Sequence, residues 1–256
     1  MAALLLYINN QRQRALNRER VFRDRSNPFD LYDDTKMYKR YRFTRRGMME
    51  VIDILSPELE RPTRRSMAID SRLQVFIALR FYATGGFYTC SGDRHGVSEA
   101  SVCRVVNSVT ELLGRKKNEY IKWPTNRKDV SDAQEGFFWK SGGFPEVVGA
   151  LDCTHVRLDC CPFGENEHVY VNRKGWHSIN VQLVCDSNYI ITNLVARWAG
   201  STHDNRIIKE SMIGQLYEKK EVVTGLVLGD SGYQKQPWLM VPFKSPSSPG
   251  ERSYNT

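Results

Sequence analysis

Two aspartates stand where a carboxylate can do chemistry. Asp152 follows the apolar run Val147-Val148-Gly149-Ala150-Leu151, and Asp230 follows the apolar stretch 222–228 and Gly229. Each run reads as a buried strand ending on its carboxylate. In open α/β sheets, reactive groups gather at strand ends, where side chains emerge from a stiff layer. The pair is 78 residues apart in the chain, so only the fold can join it. Two adjacent carboxylates repel, and one stays protonated unless a cation lies between them. A hard Mg²⁺ or Mn²⁺ held by carboxylate and water oxygens removes that conflict. The other reading is of aspartates that cap helices or turns. A third acid, Asp204, closes Trp198-Ala199-Gly200-Ser201-Thr202-His203-Asp204. It is either a further ligand or the start of a helix whose dipole favours negative charge. His155 and His203 accompany these acids as supporting groups, or else as ordinary hydrogen-bonded histidines.

The elements that must hold these residues fall into two groups. From Val147 onward the pattern is mixed. Ser178–Val184 alternates, with Ile179, Val181 and Leu183 on one face, and Tyr189–Val195 is β-like. Asp204–Tyr217 reads as a helix, Val222–Leu228 as a strand, and Pro237–Gly250, with four prolines, as an extended loop. Ahead of them the chain is helical. Residues 1–25 form an Arg-studded helix stopped by Asn27-Pro28, and Met48–Leu55 a short one stopped by Ser56-Pro57. Ser71–Phe81 carries apolar residues at helical spacing and closes at Gly85-Gly86. After a turn at Gly92–Val97, Ser98 and Ser101 are candidate N-caps for a helix striped by Val102, Val105, Val106, Val109, Leu112 and Leu113. Helix, glycine turn and second helix resemble a helix-turn-helix, in which Ser98, Ser101 and Arg104 would face DNA. An αα-hairpin with no nucleic-acid role reads the same way. The fold class is therefore α/β: a basic helical region over residues 1–130, then a sheet-containing core over 131–256.

Of the 256 residues, 37 are Lys or Arg and 29 Asp or Glu, giving a formal charge of +8. Residues 1–130 hold 25 of the basic and 15 of the acidic side chains, so the positive charge lies wholly in the front half. A basic surface attracts polyphosphate through counterion release. The 41% hydrophobic content excludes a disordered or collagenous chain. No apolar run reaches the ~18–20 residues of a membrane span, and no basic residue precedes Ala2–Ile8 as a signal peptide requires. The expectation is a soluble intracellular protein with no membrane partner. The six cysteines form no CxxC pair and read as reduced thiols; Cys160, Cys161, His168 and His177 fit no usual zinc spacing.

Gly149-Ala150-Leu151-Asp152-Cys153-Thr154-His155-Val156 resembles the first acidic motif of the PIF/Harbinger transposases and the nucleases derived from them. Tyr170-Val171-Asn172-Arg173-Lys174-Gly175-Trp176-His177-Ser178-Ile179-Asn180 resembles the strand that follows in that family. Gly200-Ser201-Thr202-His203-Asp204, Gly229-Asp230-Ser231-Gly232-Tyr233 and Trp238-Leu239-Met240-Val241-Pro242-Phe243 continue the match in order. The resemblance implies a ribonuclease H-like DDE nuclease core that hydrolyses or transfers DNA phosphodiesters. Asp152, Asp204 and Asp230 would take the divalent-metal positions, Asp152 and Asp230 the catalytic ones, with Mg²⁺ or Mn²⁺ as cofactor. It also implies a Myb-like DNA-binding partner that supplies specificity and import, hence a nuclear protein that stays cytoplasmic without its partner.

The family's final Glu lies on a helix some tens of residues beyond the motif at Gly229–Tyr233, and the sequence ends at Thr256 before it. The core is expected to be incomplete, to bind its ion weakly and to show little or no nuclease activity. A catalytically silent DNA- or protein-binding module is the alternative.

Overall fold

The computed structural model describes residues 24–63, 67–140, 143–160, 164–220 and 225–255. All of the expected 1–25 helix but its last two residues lies outside them, as do Cys161 and Val222. The chain divides into two compact units, Met1–Lys117 and Asn118–Thr256. The expected division after residue 130 falls inside a helix, Arg127–Lys140, that packs on the first strand of the second unit.

In the first unit, α1 (Pro28–Leu31), α2 (Asp34–Tyr41), α3 (Arg45–Leu59), α4 (Ser71–Thr84), α5 (Tyr88–His95) and α6 (Glu99–Arg115) enclose one core. Side-chain oxygens start these helices, except α5, by taking amides their first turns leave free. Asp70 accepts from Leu73 N at 2.7 Å, and Ser98 accepts from Ser101 N at 3.3 Å. Ser101 is thus inside α6 and not its cap. α3 is longer than its sequence suggests and runs through Pro57. Proline removes one hydrogen bond, here near the helix end, while Ile52, Leu55 and Leu59 bury one continuous face. α4 contributes Val75, Phe76, Ile77 and Ala78, none of them solvent-accessible, to the centre of the core. The valines of α6 pack against it, but Gly92–His95, expected in the turn between the two helices, are the end of a further helix, α5.

α7 (Lys117–Tyr120) bridges the division, and α8 (Arg127–Lys140) opens the second unit. Its sheet is mixed and five-stranded, ordered β3-β2-β1-β4-β5. β1 (Val147–Arg157), β2 (Ser178–Cys185) and β3 (Ile191–Ala199) form an antiparallel meander, while β4 (Leu226–Gly229) runs parallel to β1 and β5 (Leu239–Met240) parallel to β4. The helical region followed by this mixed sheet is the α/β, ribonuclease H-like arrangement expected. Four local expectations differ. β1 continues five residues past Asp152, with Thr154 and Val156 on its open face. Tyr189 is in the β2–β3 turn at φ 63°, not in a strand. The helix expected over Asp204–Tyr217 is two, α9 (Asp204–Lys209) and α10 (Met212–Glu218), because Ser211 turns out and caps the second through Gly214 N at 3.1 Å. The proline-rich tail supplies β5 and then α11 (Pro249–Tyr254), opened by a Ser248/Glu251 capping box.

Candidate active site

β1 and β4 bring two of the three acids together. Their parallel register pairs Leu151 with Gly229, so Asp152 and Asp230 are the next residues on neighbouring strands, at the point where β4 leaves the sheet. Asp152 is therefore in mid-strand, not at a strand end; the end that matters is that of its neighbour. Alternation places Asp152 with Thr154 and Val156 on the exposed side of β1, open to a large substrate. Asp152 Oδ1 accepts from Cys153 N at 2.7 Å and Asp230 Oδ1 from Gly232 N at 3.0 Å. Each carboxylate keeps its second oxygen, the hard donor that Mg²⁺ or Mn²⁺ prefers.

Asp204, the first residue of α9, meets β1 from the Cys153 side. Asn180 of β2 donates Nδ2 to Asp204 Oδ1 at 2.8 Å and to Thr202 O at 3.0 Å. The Tyr233 hydroxyl donates to Cys153 Sγ at 3.1 Å. Burial, chiefly, pushes the Cys153 thiol up to about 12, with the Asp204 and Asp152 charges adding to it. Burial likewise raises the Tyr233 phenol, reinforced by Cys153 and both carboxylates. Both groups are neutral donors at pH 7. Among the described residues no three His, Cys, Asp or Glu side chains gather into a metal cluster, so the structure does not assemble Asp152, Asp204 and Asp230 as one set.

Asn205 links the acids instead. Its Nδ2 donates to Gly232 O at 3.3 Å and its Oδ1 accepts from Gln234 N at 2.6 Å, which fastens the loop after Asp230 to the start of α9. His203 caps α9, its Nδ1 accepting from Asn205 N at 3.3 Å. His155 points to Ser178 Oγ at 3.0 Å and lies edge-on to Trp176. Both histidines are held by neighbouring protein groups. Ser98, Ser101 and Arg104 share a small exposed cluster, the hydroxyls 3.0 Å apart and Arg104 Nη2 donating to Ser101 Oγ at 3.4 Å. Of the zinc alternative, His177 pairs with Glu167 at 2.9 Å and His168 bonds Glu165 O at 3.0 Å.

Sequence reasoning gave no role to Asn180, Asn205, Cys153 or Tyr233. Asn180 had a signal. The apolar residues Ile179, Val181 and Leu183 do share a face of β2, but Ser178, Asn180 and Gln182 opposite them are 0–1% exposed. A polar residue buried on a strand needs a partner, and here that partner is Asp204.

The family described as DDE superfamily endonuclease matches residues 151–256. The chain is 36% identical over 229 residues to a human protein named "Putative nuclease HARBI1", across 89% of this chain and 65% of that one. It is similar to the Harbinger-derived nucleases over most of its length. The frog relative of the same name, from Xenopus laevis, is 36% identical over 91% of this chain and 66% of its own. An ALP1-like protein of Arabidopsis thaliana is 24% identical over 71% of this chain and 47% of its own. No solved structure matches. The chain thus spans about 65% of the length of the Harbinger-derived nucleases it matches. Among the described residues, no helix is long and apolar enough to cross a membrane.

Proposed function

We propose that this Harbinger-derived chain serves divalent-metal-dependent hydrolysis of DNA phosphodiesters, with Asp152 and Asp230 as the ion's protein ligands. The observation that carries the reading is the β1–β4 register, which sets two exposed carboxylates side by side with a free oxygen each. A bound Mg²⁺ or Mn²⁺ would supply charge neutralisation at the attacking and leaving oxygens of the phosphodiester. The chain's own residues do the positioning. Cys153 N and Gly232 N each hold one carboxylate oxygen still, Asn205 holds the Asp230 loop, and Asn180 fixes Asp204 beside them. Asp204 would join them as a third ligand only by moving toward the pair or through water, so the observed arrangement offers the ion two carboxylates. Phosphoryl transfer depends mainly on such positioning and charge. A Myb-like partner that directs the protein to its DNA and to the nucleus completes the proposal.

Two carboxylates hold an ion more loosely than three, so cleavage by these 256 residues is expected to be slow. The test is a plasmid-nicking assay with Mn²⁺, beside calorimetric Mn²⁺ titration, on the chain and on Asp152→Ala. Mn²⁺ binding and nicking that vanish together in the variant are the expected result. DNA binding with no Mn²⁺ affinity, unaltered by Asp152→Ala, would instead support the silent binding module.

A further inference from the structure

The helical unit gathers three guanidiniums that no carboxylate among the described residues neutralises. Arg40 in the last turn of α2, Arg80 on α4 and Arg94 in the last turn of α5 line one shallow pocket with Tyr32, Tyr41 and His95. Arg80 Nη1 donates to the Arg40 carbonyl at 2.8 Å. The Arg40 guanidinium lies 4.6 Å from the centre of the Tyr32 ring, and that of Arg80 5.9 Å from the Tyr41 ring. Among the described residues none of the three is ion-paired, whereas Arg45, Arg46 and Arg115 of the same unit each meet a carboxylate.

The charge balance decides what such a cluster attracts. Two helix C-termini converge there, each equivalent to about −0.5 charge, and together they offset about one of the three cations. About two positive charges remain. His95 adds none. Its Nδ1–H donates to Ser91 O at 2.8 Å, and burial, with Arg80 and Arg94, lowers its pKa, so the ring is neutral at pH 7. Burial and the Arg94 charge also lower the pKa of Arg80, the mark of cations held close without a counterion. Guanidinium forks match phosphate oxygens in geometry and charge. We infer that Arg40, Arg80 and Arg94 form a phosphate site that takes a backbone phosphate of duplex DNA. The DNA source rests on the nuclease reading above; the phosphate chemistry does not.

The test is the salt dependence of binding to a labelled DNA duplex, without divalent ions, for the 256-residue chain and its Arg40→Gln, Arg94→Gln, Arg94→Lys and Arg46→Gln variants. Losing one phosphate contact reduces the slope of log K against log salt by about 0.9. Arg40→Gln and Arg94→Gln should each show that reduction and bind several-fold more weakly, with melting temperatures unchanged. Arg94→Lys keeps the charge and most of the slope, and Arg46→Gln, whose charge already meets Glu50, changes little. Wild-type slope and affinity in both glutamine variants would overturn the site. Inorganic phosphate, followed on the Arg94 side-chain NMR signal, separates the sources. A saturable phosphate shift with no effect of either variant on DNA binding would overturn the assignment to DNA. No cleavage is read, so failure of the nuclease reading and failure of this site show separately.

Discussion

Cys153 shows how far the surroundings of a single residue reset its chemistry. With its thiol pushed up to about 12, chiefly by burial, it is no nucleophile at neutral pH, although it adjoins the candidate catalytic Asp152. Cys90 and Cys160 are exposed. Iodoacetamide at mildly alkaline pH is expected to modify those two in the native protein and Cys153 only after unfolding, as peptide mass spectrometry would read; native labelling of Cys153 would refute its burial. The same raised pKa links stability to pH. The folded thiol holds its proton more tightly than the unfolded one at 9.0, so its contribution is complete below about 9 and is lost as pH rises toward about 12. Burial pushes the Tyr217 phenol from 10.0 to about 12, which acts in the same direction. Melting temperature should therefore be level at neutral pH and fall above about 9; a rise there would contradict the shifts. At this scale the sequence showed Asp152, Asp204 and Asp230 but not what each does. Carboxylates can be recognised by type, whereas Asn180 and Asn205 matter only through partners 24 and 27 residues away.

Elements were readable where one signal dominated. The helix at Ser71–Thr84 has an Asp70 cap, an apolar interior and Gly85 at φ 60° as its stop, all pointing the same way. Signals that conflict explain the differences. β5 and α11 sit in a proline-rich stretch that resembles a loop, and α9 and α10 share a periodicity that hides the break at Ser211. The turn between β3 and α9 depends on Gly200. A Cβ there would stand 2.5 Å from Tyr170 O and 2.8 Å from Ser178 O, both backbone atoms, so only glycine lets the end of β3 pass. Gly200→Ala is expected to destabilise the protein by about 1–3 kcal/mol in urea unfolding and, by shifting Asp204, to weaken Mn²⁺ binding. Full stability in the variant would mean the close approach is not needed. Asn205→Ala, which frees the Asp230 loop, should cost only about 1 kcal/mol of stability while lowering Mn²⁺ affinity. Calorimetry would test that, and unchanged affinity would remove Asn205 from the site.

At the scale of the whole molecule, the described residues form two cores with no residue in common, one including Leu55 and Phe76 and the other Ile213 and Leu239. Leu55→Ala and Ile213→Ala each remove a fully buried side chain, at an expected cost of about 2–5 kcal/mol. Their effects should add, because neither residue has partners in the other cluster. A double variant whose loss departs from the sum by more than about 0.5 kcal/mol would show the units to be energetically coupled. The sheet adds a consequence in time. β2 and β3 close over the five residues 186–190 and β1 reaches β2 across the twenty residues 158–177, whereas β4 must find β1 across some seventy residues of intervening chain. Long loop closures come late and slow a fold. Asp152 is therefore in place early in refolding and Asp230 joins it at the end, so the ability to capture an ion should lag behind the closing of the meander.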